Sequence, residues 1–260
     1  MKRILLLGAA LYIAAFIALV FGQNSLIYPF NPTLEQPERR ITEHRLSTAD
    51  GETLIVWAAK PAIGKPTILY FHGNAGNLHN RAARLDRMLD RGYGIVAMAY
   101  RGSSGSTGTP SETAIRADSL LVHNQLNTLI GTPRKLVIYG ESLGSAVAIQ
   151  LAALHQPDGL ILEAPFTSLT SRASEAVPYF PVKLGLRDEW NSLGQIPNIT
   201  APLLVMHGTA DTVVPFTHGE AIFAAAAASN KTFRRVDGLG HNGHWSVAGQ
   251  KAIYRFIDGL

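Results

Sequence analysis

The sequence predicts an α/β fold: a mostly parallel central sheet flanked by helices, behind an N-terminal transmembrane helix. Three observations carry this reading. Residues 4–22 are almost wholly apolar; short apolar runs then alternate with amphipathic stretches; and one such run leads directly into Gly140-Glu141-Ser142-Leu143-Gly144. With 260 residues, 47% hydrophobic and 16% charged, the chain suits one well-packed domain and excludes a disordered one. The formal charge of +4 is small, and Lys and Arg are scattered except at Arg39-Arg40 and Arg234-Arg235. That is a solvated surface, so no nucleic-acid partner is expected. The sequence has no cysteine, which excludes disulfides, thiolate zinc sites and a cysteine nucleophile.

The first element is the apolar stretch. After Lys2 and Arg3 no charge appears until Glu35. Nineteen helical residues at about 1.5 Å each nearly span a hydrocarbon core of about 30 Å. A cleaved signal peptide has a shorter apolar region ending in a small-x-small site, and Val20-Phe21-Gly22 is a poor one. Residues 1–22 are therefore read as an uncleaved signal-anchor. Lys2 and Arg3 stay cytoplasmic by the positive-inside rule, which places the rest of the chain on the non-cytoplasmic side. Residues 23–41, with Pro29, Pro32 and Pro37, read as an extended tether, and 42–260 as the catalytic domain.

A hairpin opens the domain, with strands at 44–49 and 52–58 around the Asp50-Gly51 turn. Apolar runs follow at 67–72, 94–100, 135–140, 159–163 and 202–207, each succeeded by a helix-like stretch. Most are apolar throughout rather than alternating, the signature of strands covered on both faces. A strand at 232–236 and a helix at 244–257 close the chain.

The run 135–140 enters the G-x-S-x-G at Ser142, and an alanine-rich helix follows at 146–154. Alone the pentapeptide is a weak signal; at a strand-to-helix junction it gains weight, because that tight turn pushes a serine hydroxyl above the sheet. A hydroxyl needs a base to remove its proton and an acid to hold the base in the right tautomer. Both are expected in loops after later strands, in the order acid, then histidine. Asp211 follows the run 202–207, and His241 follows 232–236. Glu163, at the end of 159–163, is the rival acid, read otherwise as a structural or substrate-side carboxylate; Asp237 is read as surface. His244 is read as opening the last helix, and His207 and His218 as packing or surface residues. The nine histidines form no recognisable metal set, and no cofactor is expected.

An oxyanion hole needs two backbone N–H groups aimed at the developing charge. Leu143 supplies one by following the serine. Asn74 is the expected second, with Ala75 the alternative, from the loop Gly73-Asn74-Ala75-Gly76-Asn77. That loop lacks the nucleotide-binding glycine patterns.

Several runs together resemble one family: Phe71-His72-Gly73-Asn74-Ala75-Gly76-Asn77, Tyr100-Arg101-Gly102-Ser103-Ser104-Gly105-Ser106, residues 140–145, Glu163-Ala164-Pro165-Phe166-Thr167-Ser168 and His207-Gly208-Thr209-Ala210-Asp211. They are similar to membrane-associated abhydrolase-domain proteins of the α/β-hydrolase fold, related to the yeast bud-emergence hydrolase and the vertebrate acyl-protein thioesterases. The resemblance covers about residues 45–257. It implies hydrolysis of acyl esters or thioesters by a triad of Ser142, Asp211 and His241, and a single N-terminal anchor.

Arg101 is read as either lining the site or pairing with Asp118. The interval 164–201 holds Phe166, Tyr179, Phe180, Leu184, Leu186 and Trp190. These side chains either line an apolar acyl pocket or pack a helix on the sheet. The expected partners are a small or lipid-like acyl substrate and, through the first helix, a membrane; the oligomeric state is left open. An aminopeptidase-like amide hydrolase and a catalytically silent membrane-tethered binding module are the competing classes.

Overall fold

A computed structural model describes residues 2–37 and 40–260. Glu38 and Arg39, both in the expected tether, lie outside the described residues, whereas Arg40 pairs with Asp86 and, at 2.9 Å, with Asp90. Eight strands form one sheet: β1 (Thr42–Ser47), β2 (Thr53–Ala59), β3 (Thr67–Phe71), β4 (Gly94–Met98), β5 (Leu136–Glu141), β6 (Gly159–Glu163), β7 (Leu203–Gly208) and β8 (Lys231–Val236). Their order is β1-β2-β4-β3-β5-β6-β7-β8. β1 and β2 pair antiparallel, as do β2 and β4, and all other pairs are parallel.

The parallel strands β3 to β7 are buried on both faces, as their unbroken apolar runs require, whereas the edge strand β8 is only partly buried. In β3, Leu69 and Phe71 face one apolar core while Ile68 and Tyr70 face the other. The helices are α1 (Lys2–Ile27), α2 (Ala82–Asp90), α3 (Glu112–Asn124), α4 (Leu126–Ile130), α5 (Leu143–His155), α6 (Leu169–Ala176), α7 (Val182–Gly185), α8 (Ser192–Gln195), α9 (Phe216–Ala225) and α10 (Val247–Asp258). From Leu143 to Ala152, α5 is buried throughout. Its alanines and Gly144 let the helix backbone press close to the sheet. α10 begins at Val247 behind its N-cap, Ser246, three residues later than the sequence suggests. His244 is therefore not on that helix but in the loop before it.

α1 is 26 residues long and, by length and composition, able to cross a membrane. Residues 23–27, expected to begin a tether, continue this helix. Residues 28–37 then lie against the domain. Tyr28 is buried; its hydroxyl donates to Asp188 Oδ2 at 2.5 Å and accepts from Trp190 Nε1 at 2.9 Å. Phe30 bridges to Gly76 in parallel fashion, beside the loop that holds Asn74.

Candidate active site

β5 ends at Glu141 and α5 starts at Leu143, leaving Ser142 alone to make the turn. Its φ of 52° lies in the left-handed region, a conformation that costs a non-glycine residue about 1–3 kcal/mol. The turn is pinned from both sides. Ser142 N donates to Glu163 O at 2.8 Å, and Ser142 O accepts from Ser145 Oγ at 2.6 Å and Ser145 N at 2.8 Å. A Cβ at Gly140 would strike the carbonyl of Gly144, and one at Gly144 would strike the carbonyl of Phe71. The two glycines are thus demanded by close backbone passage on either side of the serine.

The structure brings Ser142, His241 and Asp211 into one hydrogen-bonded line. His241 Nε2 lies 3.0 Å from Ser142 Oγ, and His241 Nδ1 lies 2.7 Å from Asp211 Oδ2. Asp211 sits in the loop after β7 with its side chain fully buried. Its Oδ1 accepts from the amides of Val213 and Val214, both at 2.8 Å. Burial pulls the Asp211 pKa up, but hydrogen bonds from His207, His241 and the Val214 amide outweigh it and hold the carboxyl well below the usual range. An ionised Asp211 facing Nδ1 fixes the proton there and leaves Nε2 to accept from the serine hydroxyl. Leu143 is the first residue of α5, where backbone N–H groups lack intrahelical partners and the helix dipole favours negative charge. Leu143 and Asn74 border the same cavity as Ser142.

The rival groups are elsewhere engaged. Glu163 is buried, pairs with Arg84 Nη1 at 3.0 Å and accepts from the Tyr139 hydroxyl. Asp237 is exposed and pairs with Arg235. His218 lies between Thr167 and Glu175. His207 is fully buried and reaches both Val214 O, at 2.9 Å, and Asp211 Oδ2, at 3.3 Å, so it braces the acid loop. Arg101 pairs with Asp118 and Asp50, tying the loop after β4 to α3 and to the first hairpin. Among the described residues His244 is buried with neither ring nitrogen partnered. Burial pushes its pKa down.

A charged lattice lies under the turn. Glu141 accepts from Arg81 and Arg84, each at 3.2 Å, and from the Tyr70 hydroxyl at 2.6 Å. Burial raises the Glu141 pKa, but the two guanidinium groups and the tyrosine overcome it and bring it down to about 2. This lattice escaped sequence reasoning, because Arg81 and Arg84 lie some sixty residues from Glu141 with no shared motif. Among the described residues no cluster suits a metal ion.

Two cavities flank the serine. A small polar one of about 110 Å³ is bordered by Arg84, Glu141, Glu163, His241 and His244. The larger, about 350 Å³, runs from Ser142 past Phe166, Leu169 and Val177 to Phe180 and Leu186. Among the described residues Arg172 is its single charged lining residue. The aromatic interval of the sequence divides accordingly. Phe166, Phe180 and Leu186 line the cavity, Trp190 packs in the core, and Tyr179 and Leu184 face outward. The opposite wall comes from α1: Phe16, Leu19, Val20, Gln23, Leu26 and Ile27. Nothing in the sequence signalled that contribution, since the apolar residues of α1 read equally well as lipid-facing.

A family described as alpha/beta hydrolase fold matches residues 66–181, and one described as serine aminopeptidase, S33, matches residues 191–245. The alpha/beta hydrolase domain-containing protein WAV2 of Arabidopsis thaliana is 32% identical over 282 residues, covering 95% of this chain and 91% of that protein. Lysophosphatidylserine lipase ABHD12 of Rattus norvegicus is 32% identical over 286 residues, covering 90% of this chain and 71% of that protein. Among solved structures, the esterase Pf2001 of Pyrococcus furiosus shares the fold with a TM-score of 0.72 at 17% identity, over 88% of this chain and 96% of that one.

Proposed function

The chain belongs to the α/β-hydrolase family, and from that premise we propose that it is a membrane-anchored serine hydrolase that cleaves acyl esters or thioesters. The observation that carries the reading is the 3.0 Å approach of His241 Nε2 to Ser142 Oγ, backed by the 2.7 Å contact of His241 Nδ1 with Asp211. In the first half-reaction His241 takes the Ser142 proton as Oγ bonds to the acyl carbon. The amides of Leu143 and Asn74 hold the oxyanion. When the C–O or C–S bond breaks, His241 returns the proton to the departing alcohol or thiol. In the second half-reaction His241 deprotonates water, which attacks the acyl carbon. Oγ departs, recovers its proton, and a carboxylic acid is released.

The apolar cavity leading from Ser142 suits a hydrocarbon chain, and a relative of this chain is a lysophosphatidylserine lipase. An aminopeptidase needs an acidic group to hold the substrate amine. The large cavity has none, and the nearby carboxylates of Glu141 and Glu163 are already matched by Arg81 and Arg84. Labelling with a fluorophosphonate probe tests the proposal. The protein should be labelled and should hydrolyse acyl esters, and Ser142→Ala should lose both while keeping its melting temperature. Labelling that persists in Ser142→Ala would sink the assignment.

A further inference from the structure

The geometry of α1 fits poorly with a simple tail that merely holds the domain near a membrane. One face of its second half packs against the domain. Phe180 stacks on Tyr12 at 5.0 Å and on Phe16 at 6.0 Å, and the Tyr12 hydroxyl donates to Tyr179 O at 2.6 Å. Further along, the Val20 side chain lies so close to Gly185 that a Cβ there would collide with it. Gln23, buried at the end of this contact, donates to Gly185 O at 3.0 Å and accepts from Arg187 N at 2.9 Å. Asn24 donates to Pro110 O at 2.7 Å. From residue 12 onward the helix is therefore one wall of a cleft whose other wall is residues 177–186.

The lengths then constrain the membrane. Residues 2–11 carry no such contacts and rise about 15 Å, only half of the roughly 30 Å hydrocarbon core. If α1 crosses the bilayer, the remaining half must be supplied by the stretch already packed on residues 177–186, so that segment enters the leaflet with it. Its composition permits this: between Ala176 and Leu186 the single charge is Lys183, whose long stem can snorkel to the interface. Tyr179 is 86% exposed and Leu184 83%, large apolar groups otherwise facing water. The α1 wall of the cavity extends from Phe16 to Ile27: residues 16–21 rise about 9 Å within that leaflet, and the rest continues above the hydrocarbon to the loop that holds Asn74.

We propose that α1 and residues 177–186 are seated together in one leaflet, and that the acyl chain of a bilayer-resident lipid ester enters the catalytic cavity sideways, lying along α1. The inference rests on the serine-hydrolase reading and adds its substrate class: an acyl lipid taken from the membrane rather than from solution. α1 is thereby a specificity element as well as an anchor.

The cysteine-free chain makes the test direct. Tyr179→Cys, Leu184→Cys and Leu154→Cys each give one thiol for a nitroxide label in the full chain reconstituted in phosphatidylcholine vesicles. Leu154, exposed in the last turn of α5 at the far end from Ser142, is the water-side control. Labels at 179 and 184 should relax with oxygen dissolved in lipid and resist an aqueous nickel chelate, and the label at 154 should do the reverse. Chelate access at 179 and 184 overturns the seating. In parallel, Leu19→Trp should lower kcat/KM for palmitoyl esters by about tenfold or more relative to butyryl esters. If that variant loses both activities, Leu19→Ala, which widens the same wall, should move the preference toward longer chains. Unaltered chain preference in Leu19→Ala, or in an active Leu19→Trp, overturns the pocket assignment. Absence of fluorophosphonate labelling in the unsubstituted protein would strike the hydrolase reading instead, and the label depths would still stand by themselves.

Discussion

Ser142 occupies a backbone conformation that its own side chain disfavours, and its neighbours hold it there. The Glu163 carbonyl takes its amide, Ser145 takes its carbonyl, and Gly140 and Gly144 let two backbone segments pass within contact. The pattern G-x-S-x-G was readable because it falls at a strand-to-helix junction; that Gly144 must clear the backbone of Phe71 and His72 on a neighbouring strand was not. Asp211 and His241 were readable for a related reason: each follows a strand of recognisable apolar character, so topology alone carries them to one end of the sheet. His207 was not. A buried histidine that braces the acid loop has the same sequence surroundings as one that merely fills space. A prediction at this scale concerns Asp211. An amide in its place keeps the shape but can donate to Nδ1, which favours the wrong imidazole tautomer. Asp211→Asn should lower kcat by about 10³–10⁴-fold on a butyryl ester. A decrease under tenfold would show that the carboxylate does not orient the base.

Between strands and helices, the sheet was legible almost strand for strand, because parallel strands covered on both faces must be apolar throughout. What could not be read was pairing between polar groups on separate elements. Arg81, at the start of α2, and Arg84 within it reach under the sheet to Glu141 at the end of β5 and Glu163 at the end of β6. This cross-tie stiffens the floor on which Ser142 and its neighbouring strand rest. It also carries a pH signature. Glu141 is held at about 2 against an ordinary 4.5, so its contribution to stability is complete above pH 4.5 and is lost as pH falls toward 2. The shift corresponds to about 3 kcal/mol. Urea unfolding from pH 7 to pH 2 should show a steep loss below pH 4.5. In Glu141→Gln the protein should be weaker at pH 7, with Arg81 left unmatched, and flatter across that acid range. An equally steep acid limb in the variant would assign the loss to other carboxylates. The interval 164–201 carries a different lesson. Its aromatic residues looked alike in sequence, yet they divide among cavity, core and outer surface, and the cavity that Phe166 and Phe180 line is closed by α1, more than 130 residues away in the chain.

At the scale of the molecule, the junction between α1 and the domain is a clamp rather than a hinge. Tyr28 leaves the helix and at once fastens to Asp188 and Trp190, while Phe30 bridges to the loop beside the serine. The sequence suggested a proline-spaced leash here, since Pro29, Pro32 and Pro37 forbid helix, and an extended chain packed on a surface has the same composition as a free one. On the proposed anchoring, a clamp of this kind denies the domain vertical freedom and holds Ser142 at a constant height relative to the bilayer. Turnover then follows the two-dimensional abundance of substrate, counted as its mole fraction within the vesicle, and is indifferent to how many vesicles share the tube. Diluting an ester lipid with an inert ether lipid at fixed bulk concentration should depress the rate in proportion, whereas diluting the whole suspension with buffer should leave the rate per protein unchanged.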